Sequence, residues 1–399
     1  MSLHSKNGKH QAMTREVGIG VIAMGWMGMT HSRAYQQVVN RFPDSGVVPR
    51  LKVCADTDSD RTNEACRRFG FERTAEDWRE VLDDPDVEVV SITSPNWLHR
   101  EMCLAALEAG KHVFCEKPVG REPSETREIA AAAQSAGLLT FTGFCYRWSP
   151  VVQHLLALIK EGRLGQVTHY RGRFFCGYGH NPKSVLSWRF DRNKAGFGVL
   201  GDLMSHALDM ALMLAGPVAE VVSENETFIS ERPIPSQAGT HFAVSEDGPV
   251  AAVTNEDYVG AMVRFANGAR GTLEVCRVIG GSDCEHTFEL NGTKGSARWN
   301  FERMNELELF LDDQAVERPG YARLQSRPEF PRHGDFNPGG AVGLGYEDLM
   351  TIEVHEFLRG VVAGEPVEPS FEQIARVADV QAAMARSWET RTWENVTAE

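Results

Sequence analysis

The apolar positions of the first third of the chain fall into short runs separated by amphipathic stretches of helical period. Val17–Ile22, Leu51–Ala55, Val87–Thr93, Val113–Cys115 and Leu138–Phe144 read as strands. Helices are predicted between them, over Met27–Asn40, Ser59–Phe69, Ala75–Leu82, Trp97–Ala109 and Pro123–Ala136. Gly110 and Gly137 stand where helices stop. Strict alternation of strand and helix implies a parallel sheet with helices on both faces, and right-handed crossovers narrow it to a Rossmann-type domain.

The pattern changes after about residue 146. A helix over Pro150–Glu161 leads into a strand at Val167–Phe175, and a second helix covers Leu200–Leu214. Strand-like runs follow at Ala219–Phe228, Tyr258–Phe265, Ala269–Val278, Glu285–Leu290 and Ser296–Trp299. Asn267-Gly268 marks a hairpin, and Asn291-Gly292 with Gly295 another tight connection. These features predict a second α/β domain with a large, mainly antiparallel open sheet. Residues 312–345, rich in Pro, Gly and Arg, read as a long functional loop, and helices at Tyr346–Val362 and Phe371–Thr390 close the chain. The division expected is a polar tail or tag remnant over 1–14, a dinucleotide-binding domain over 15–146, and a substrate and oligomerisation domain over 147–399.

Composition narrows the partners. A formal charge of -14 disfavours nucleic acid and an anionic membrane, because phosphate surfaces need a basic face. No run is seen to approach the roughly 18–20 apolar residues of a spanning helix. The first residues lack the apolar core of a signal peptide. The eight cysteines are scattered, with no Cys-x-x-Cys pair, which predicts a reducing, cytoplasmic setting and no metal or redox motif. Cys115 reads as a buried small hydrophobe.

Chemistry concentrates at three places. The turn after the first strand, Ala23-Met24-Gly25-Trp26-Met27-Gly28, matches G-x-G-x-x-G with alanine at the first position. Gly25 lets the backbone approach a pyrophosphate, Gly28 lets the helix pack closely, and the helix N-terminus offers free N–H groups. Asp56, at the end of the second strand, is placed for the ribose hydroxyls; Asp58 is the alternative unless it caps the next helix. An acid there repels a 2′-phosphate, so NAD is expected rather than NADP, with Arg61 the nearby complication. The second place is Glu116-Lys117-Pro118, which puts a lysine at a strand's C-terminal end, where open α/β sheets hold ligands. The third is Gly201-Asp202-Leu-Met-Ser-His206-Ala-Leu-Asp209. Its spacing sets Asp202, His206 and Asp209 on one helical face. That face reads as a cleft or as a structural salt-bridge stripe, and no further ligand cluster completes a metal site.

These segments, with Thr93-Ser94-Pro95-Asn96-Trp-Leu-His99, Tyr146-Arg147, Trp188-Arg189, Phe265-Ala-Asn-Gly268 and Gly345-Tyr346-Glu347, resemble the glucose–fructose oxidoreductase/inositol dehydrogenase (Gfo/Idh/MocA) family from about residue 16 to 396. The resemblance implies that Lys117, Asp202 and His206 are the catalytic trio. It implies that Ser94, Pro95, Asn96, His99 and Glu116 line the nicotinamide end, with Arg147, Trp188 and Arg189 nearby. Tyr146 and His180 join the trio as expected substrate contacts, and Tyr178 and Asn181 are further polar candidates. Ala23 departs from the family's usual glycine. Ser184–Phe190 and Gly343–Glu347 resemble most the levoglucosan dehydrogenase branch and related sugar 3-dehydrogenases, which oxidise a pyranose C3 hydroxyl. An NAD-dependent sugar dehydrogenase, a homodimer or homotetramer, is therefore expected. A cyclitol dehydrogenase, an NAD-dependent glycosidase and a non-catalytic NAD-binding regulator are the alternatives. The open sheet of the second domain is the expected oligomer surface.

Overall fold

A computed structural model describes residues 14–235, 243–245, 248–313 and 320–397. The expected polar tail lies, up to residue 13, outside the described residues. Six strands, β1 (Arg15–Ile22), β2 (Val47–Ala55), β3 (Arg73–Ala75), β4 (Val89–Ile92), β5 (His112–Cys115) and β6 (Thr140–Thr142), form one sheet in the order β3-β2-β1-β4-β5-β6. Every neighbouring pair in it is parallel. The order reverses between β1 and β4, which opens a crevice beyond their C-terminal ends. All four residues of β4 are buried, as a strand covered on both faces requires.

One expected element differs. Residues 75–82 are not a single helix: Arg73–Ala75 pairs with the end of β2, and helix is confined to Arg79–Leu82. The Asp77 carboxylate accepts the Arg79 N–H at 3.0 Å, so the turn begins only there.

The second sheet is built from β7 (Val167–Phe175), β8 (Val218–Glu226), β11 (Tyr258–Phe265), β12 (Arg270–Cys276), β13 (Glu285–Gly292), β14 (Gly295–Asn300), β15 (Glu306–Leu311), β16 (Ala322–Gln325) and β17 (Glu394–Asn395). The strands β9 (Glu231–Pro233) and β10 (Val250–Ala252) pair separately. The large sheet runs β16-β15-β14-β13-β7-β12-β11-β8-β17. It is antiparallel except at the β7–β12 pair. Buried and open positions alternate, as in β13, where His286, Phe288 and Leu290 face inward. The inward face packs on the almost wholly buried helix Met204–Ala215. The other face lines an open groove of about 790 Å³ bordered by Arg171, Arg173, Glu274, Glu289 and Arg298.

The stretch expected to be a loop over 312–345 carries β16 and a helical turn at His333–Phe336; its residues 314–319 lie outside the described residues. His333 is buried and bonded to Ser326 at 2.7 Å, and Phe336 packs edge-on against Phe42. The last two helices, Tyr346–Ala363 and Phe371–Thr390, return to the first sheet. Phe357 meets Phe114 and Phe141 of β5 and β6, and Arg127 pairs with Asp379 at 2.7 Å. The chain's end thus fastens the two sheets to each other.

Arg192–Ala215 is more apolar than the sequence reading allowed, with a mean hydropathy of 1.3 over an 18-residue window. Of that window 83% is buried inside the protein. The chain breaks there into helices at Arg192–Ala195, Val199–Asp202 and Met204–Ala215, and its apolar surface serves the core.

Candidate active site

At the crevice, Gly25 caps the helix Trp26–Arg41 without a side-chain bond, and no acid stands in the first turn. Its free N–H groups and positive dipole end therefore remain available to an anion. A Cβ on Gly25 would meet no protein atom within 4 Å, whereas one on Gly28 would lie 2.1 Å from the Ala23 carbonyl oxygen. The two glycines thus serve approach and packing respectively. Ala23 takes a left-handed φ of 72°. Its N–H bonds the Ala55 carbonyl at 2.7 Å, and its own carbonyl accepts from Thr93 Oγ1 at 2.7 Å. The fold holds the alanine in the conformation a glycine would take freely.

Asp56 receives the Met24 N–H on Oδ2 at 2.7 Å and the Asp58 N–H on Oδ1 at 2.9 Å, so its carboxylate is fixed beside the turn. Asp58 caps the helix Ser59–Phe69 through the Asp60 N–H. Arg61 leans toward both acids, 3.8 Å from Asp56 and 3.3 Å from Asp58. Trp26 is 66% exposed and stacks on Tyr346 at 6.1 Å. A turn open at Gly25, an uncapped helix end and a fixed acid after β2 fit a dinucleotide bearing a free 2′-hydroxyl.

Across the crevice, Lys117 Nζ donates to Asp202 Oδ1 at 2.6 Å and to the Asp202 carbonyl at 3.0 Å. Tyr178 O–H donates to the other carboxylate oxygen at 2.9 Å. Burial works against ionisation of Asp202, but Lys117, Arg189 and these hydrogen bonds outweigh it and hold the carboxyl far below its usual range. One turn on, His206 is pushed well below the usual imidazole value, first by burial and then by Lys117 and His286. It is a neutral ring, packed on Tyr146 at 4.7 Å and Phe144 at 5.2 Å. Its Nδ1 is buried without a hydrogen-bond partner among the described residues.

The other expected residues stand around this core in different capacities. Arg147 spends Nε and Nη2 on the two oxygens of Asp209, at 3.1 and 2.5 Å. His99, 1% exposed, bridges the Pro118 and Ser94 carbonyls at 2.8 and 2.7 Å, tying the Lys117 loop to the turn after β4. Pro95 sits at the N-cap of the helix Asn96–Glu108, and Asn96 donates to the Ala195 carbonyl at 3.2 Å. Glu116 is buried against His31 at 3.0 Å and accepts the Lys117 N–H at 3.3 Å. Met24 is buried in the core beside the turn, and Met27 packs against that core. Trp188 meets Trp97 edge-on at 5.5 Å and carries Arg189 on its face at 4.4 Å. His180 is exposed and bonds the Val278 carbonyl at 3.1 Å. Among the described residues, no group of three His, Cys, Asp or Glu side chains is arranged to hold a metal.

With this geometry in place, comparison with known proteins decides the affiliation. Residues 17–144 match the oxidoreductase family with NAD-binding Rossmann fold, and residues 152–298 match the GFO/IDH/MocA C-terminal domain. The chain belongs to the GFO/IDH/MocA oxidoreductase family. Within it, the levoglucosan dehydrogenase of Pseudarthrobacter phenanthrenivorans is 37% identical over 385 residues, covering 96% of this chain and 98% of that protein. A solved structure of levoglucosan dehydrogenase in complex with NADH and levoglucosan superposes with a TM-score of 0.90 at 36% identity, over 96% of this chain and all of that one. The myo-inositol 2-dehydrogenase of Thermotoga maritima is 24% identical over 359 residues, 89% of this chain and 91% of that protein. Like its relatives, this member of the family is an NAD-binding oxidoreductase.

Sequence reasoning passed over His286. It is 1% exposed and lies 6.3 Å from His206, ring to ring. It stacks on Phe174 at 4.9 Å. Burial alone lowers it to about 3, and neither ring nitrogen has a partner among the described residues. The signal for it was present: His286 occupies an inward position in the alternation of β13, where an apolar residue is the norm.

Proposed function

We propose that this chain is an NAD-dependent dehydrogenase that oxidises a secondary hydroxyl of a sugar or anhydrosugar to a ketone, with the C3 hydroxyl of a pyranose as the position attacked. The observation that carries the reading is the 2.6 Å contact between Lys117 Nζ and the Asp202 carboxylate, just across the break at Leu203 from the helix that carries a neutral His206. The turn Ala23–Gly28, the uncapped helix behind it and Asp56 would hold NAD, with Ser94, Pro95 and Asn96 toward the nicotinamide. NAD bound there supplies the two-electron acceptor.

The chain's own groups handle the proton and the charge. His206 is unprotonated at neutral pH, so its ring has a lone pair for the hydroxyl proton. The Lys117 ammonium stabilises negative charge as it develops on the same oxygen. Asp202, ionised, orients Lys117 and is itself held by Tyr178. Tyr146, packed on His206, would shape the sugar side of the pocket, with His180 at its rim. Retention of both Lys117 and His206 favours an enzyme over an NAD-binding regulator.

Supplying NAD or NADP with levoglucosan, aldoses and cyclitols tests the reading. NADH accumulating with an anhydrosugar or aldose supports it. Turnover of cyclitols alone would reassign the chain to inositol chemistry. Sugar release without NADH would make it a glycosidase. We further propose that the open face of the second sheet pairs with a second copy. Across its strands Glu274 stands opposite Arg173, and Glu289 opposite Arg171 and Arg298, a charge pattern that a two-fold axis matches to its own copy. Light scattering would read a dimer or tetramer, and a monomer would refute the pairing. Eight free cysteines support a reducing, cytoplasmic setting.

A further inference from the structure

Two guanidiniums lie wholly inside the second domain, outside the machinery described above. Arg232 on β9 and Arg277, just after β12, are both 0% exposed. Both stand over the ring of buried Phe190, at 4.1 and 4.4 Å from its centroid. A buried guanidinium is costly unless it is paired. Arg277 has Asp257 at 2.7 Å. Among the described residues Arg232 has no carboxylate within 4 Å, and only the more distant Asp257 favours its charge. It spends Nη1 on the Asn181 carbonyl at 2.9 Å and Nη2 on the Gly179 carbonyl at 2.5 Å, and its Nε has no partner among the described residues.

Apart from the Asp257 pair, these bonds grip one segment, residues 178–190. Arg232 takes its beginning. Its end is taken by Arg277, which donates from Nη1 to the Arg189 carbonyl at 3.1 Å, and by Asn255, which donates to the same carbonyl at 3.0 Å. Asn255 is itself held by Arg277 Nη2 at 2.9 Å. A Cβ on Gly179 would lie 3.0 Å from the Arg277 carbonyl and 3.4 Å from Arg232 Nη2, so the segment sits directly against the pair. The segment carries Tyr178, which holds Asp202, and the Trp188–Arg189 stack. An apolar core would fill this volume at lower cost, but it could not direct backbone carbonyls as charged donors do.

We propose that Arg232, Arg277 and Phe190 form a positioning device. It sets Tyr178 and the Trp188–Arg189 stack relative to the Lys117–Asp202 pair, and so determines how tightly the enzyme holds its sugar. The assay rests on the dehydrogenase reading, but the physical readout does not.

The test uses the full chain with Arg232→Met, Phe190→Leu and Tyr178→Phe, singly and in pairs. Misplacing contacts by a fraction of an ångström predicts a KM for the sugar raised about 10- to 100-fold. The dissociation constant for NADH, read by fluorescence, is expected to stay within about twofold. Tryptic cleavage after Lys183, inside the segment, is expected to accelerate. If the device acts through Tyr178, adding Tyr178→Phe to Arg232→Met costs no more than the larger single change. Fully additive effects, or wild-type KM in both Arg232→Met and Phe190→Leu, would overturn the proposal. Should Arg232→Met fail to fold, the pair built on Phe190→Leu carries the same test. If the wild type oxidises no sugar, the dehydrogenase reading fails. The cleavage rate at Lys183 still decides the device: unchanged rates refute it and faster rates support it.

Discussion

Arg147→Met separates an anchoring role from a cofactor-contacting one. The resemblance to known oxidoreductases implied a place near the nicotinamide, yet the guanidinium is engaged with Asp209 through both carboxylate oxygens. The two side chains are 8% and 5% exposed. Methionine keeps much of the stem and removes the cation. Asp209, whose carboxyl burial already pushes upward against the pull of Arg147, is then a buried acid without its counter-charge. Breaking such a pair costs about 3–5 kcal/mol. At roughly 2.1 cal/mol/K of unfolding entropy per residue, a chain of this size loses about 1.2 °C per kcal/mol, and Tm falls by about 4–6 °C. The double variant Arg147→Met/Asp209→Leu removes both charges and should recover most of that loss. Thermal and denaturant melts, paired with NADH titration by fluorescence, give the answer. An Arg147→Met protein as stable as wild type, with NADH affinity weakened about tenfold or more, would refute the anchoring argument.

Three further outcomes follow from the same geometry. Ala23→Gly relieves the left-handed φ of 72° and should stabilise the fold by about 0.5–1 kcal/mol; an unchanged or lower melting midpoint contradicts this. Asp56→Ser removes the carboxylate fixed beside the turn and should lower the NAD-to-NADP ratio of kcat/KM about tenfold or more, about 1.4 kcal/mol; an unaltered ratio places the ribose elsewhere. His206 and His286 are held below the usual imidazole value by burial, His286 at about 3. The unfolded chain takes up protons near pH 6.5 that the folded chain refuses. Their contribution is therefore complete above about pH 6.5 and is lost as pH falls, for His286 by about 1.4 kcal/mol per pH unit down to about pH 3. Urea midpoints that do not fall between about pH 7 and pH 5, or that fall as steeply in His286→Phe, contradict this.

The first domain was legible because strands such as β4 and β6 are buried on both faces and the helices Ser59–Phe69 and Pro123–Ala136 end at glycines, so period and punctuation agreed. β3 escaped because Arg73-Thr-Ala75 is short and mostly polar, and only its partner β2 makes it a strand. In the second domain, turn signals identified antiparallel neighbours such as β11 and β12. The parallel β7–β12 pair joins strands far apart in the chain and has no local signal. At the site, the strand-end position of Lys117 and the helical spacing of Asp202 and His206 were readable. That Lys117 reaches Asp202, 85 residues on, was implied only by resemblance. Local spacing left Asp56 and Asp58 as alternatives; hydrogen bonding separates them, one beside the Met24 N–H and the other at a helix cap. The Arg147–Asp209 pair and the guanidiniums over Phe190 depend on tertiary packing and left no trace in the periodicity.

The central claim is that Lys117, paired with Asp202 beside a neutral His206, drives oxidation of a sugar hydroxyl by NAD. The direct measurement is NADH formation from levoglucosan and NAD by wild type and Lys117→Ala, with NADH affinity measured on both. The account predicts turnover by wild type and a loss of about a thousandfold in the variant, in keeping with removal of a preorganised donor. NADH affinity should be nearly unchanged. Wild-type turnover by Lys117→Ala would contradict it.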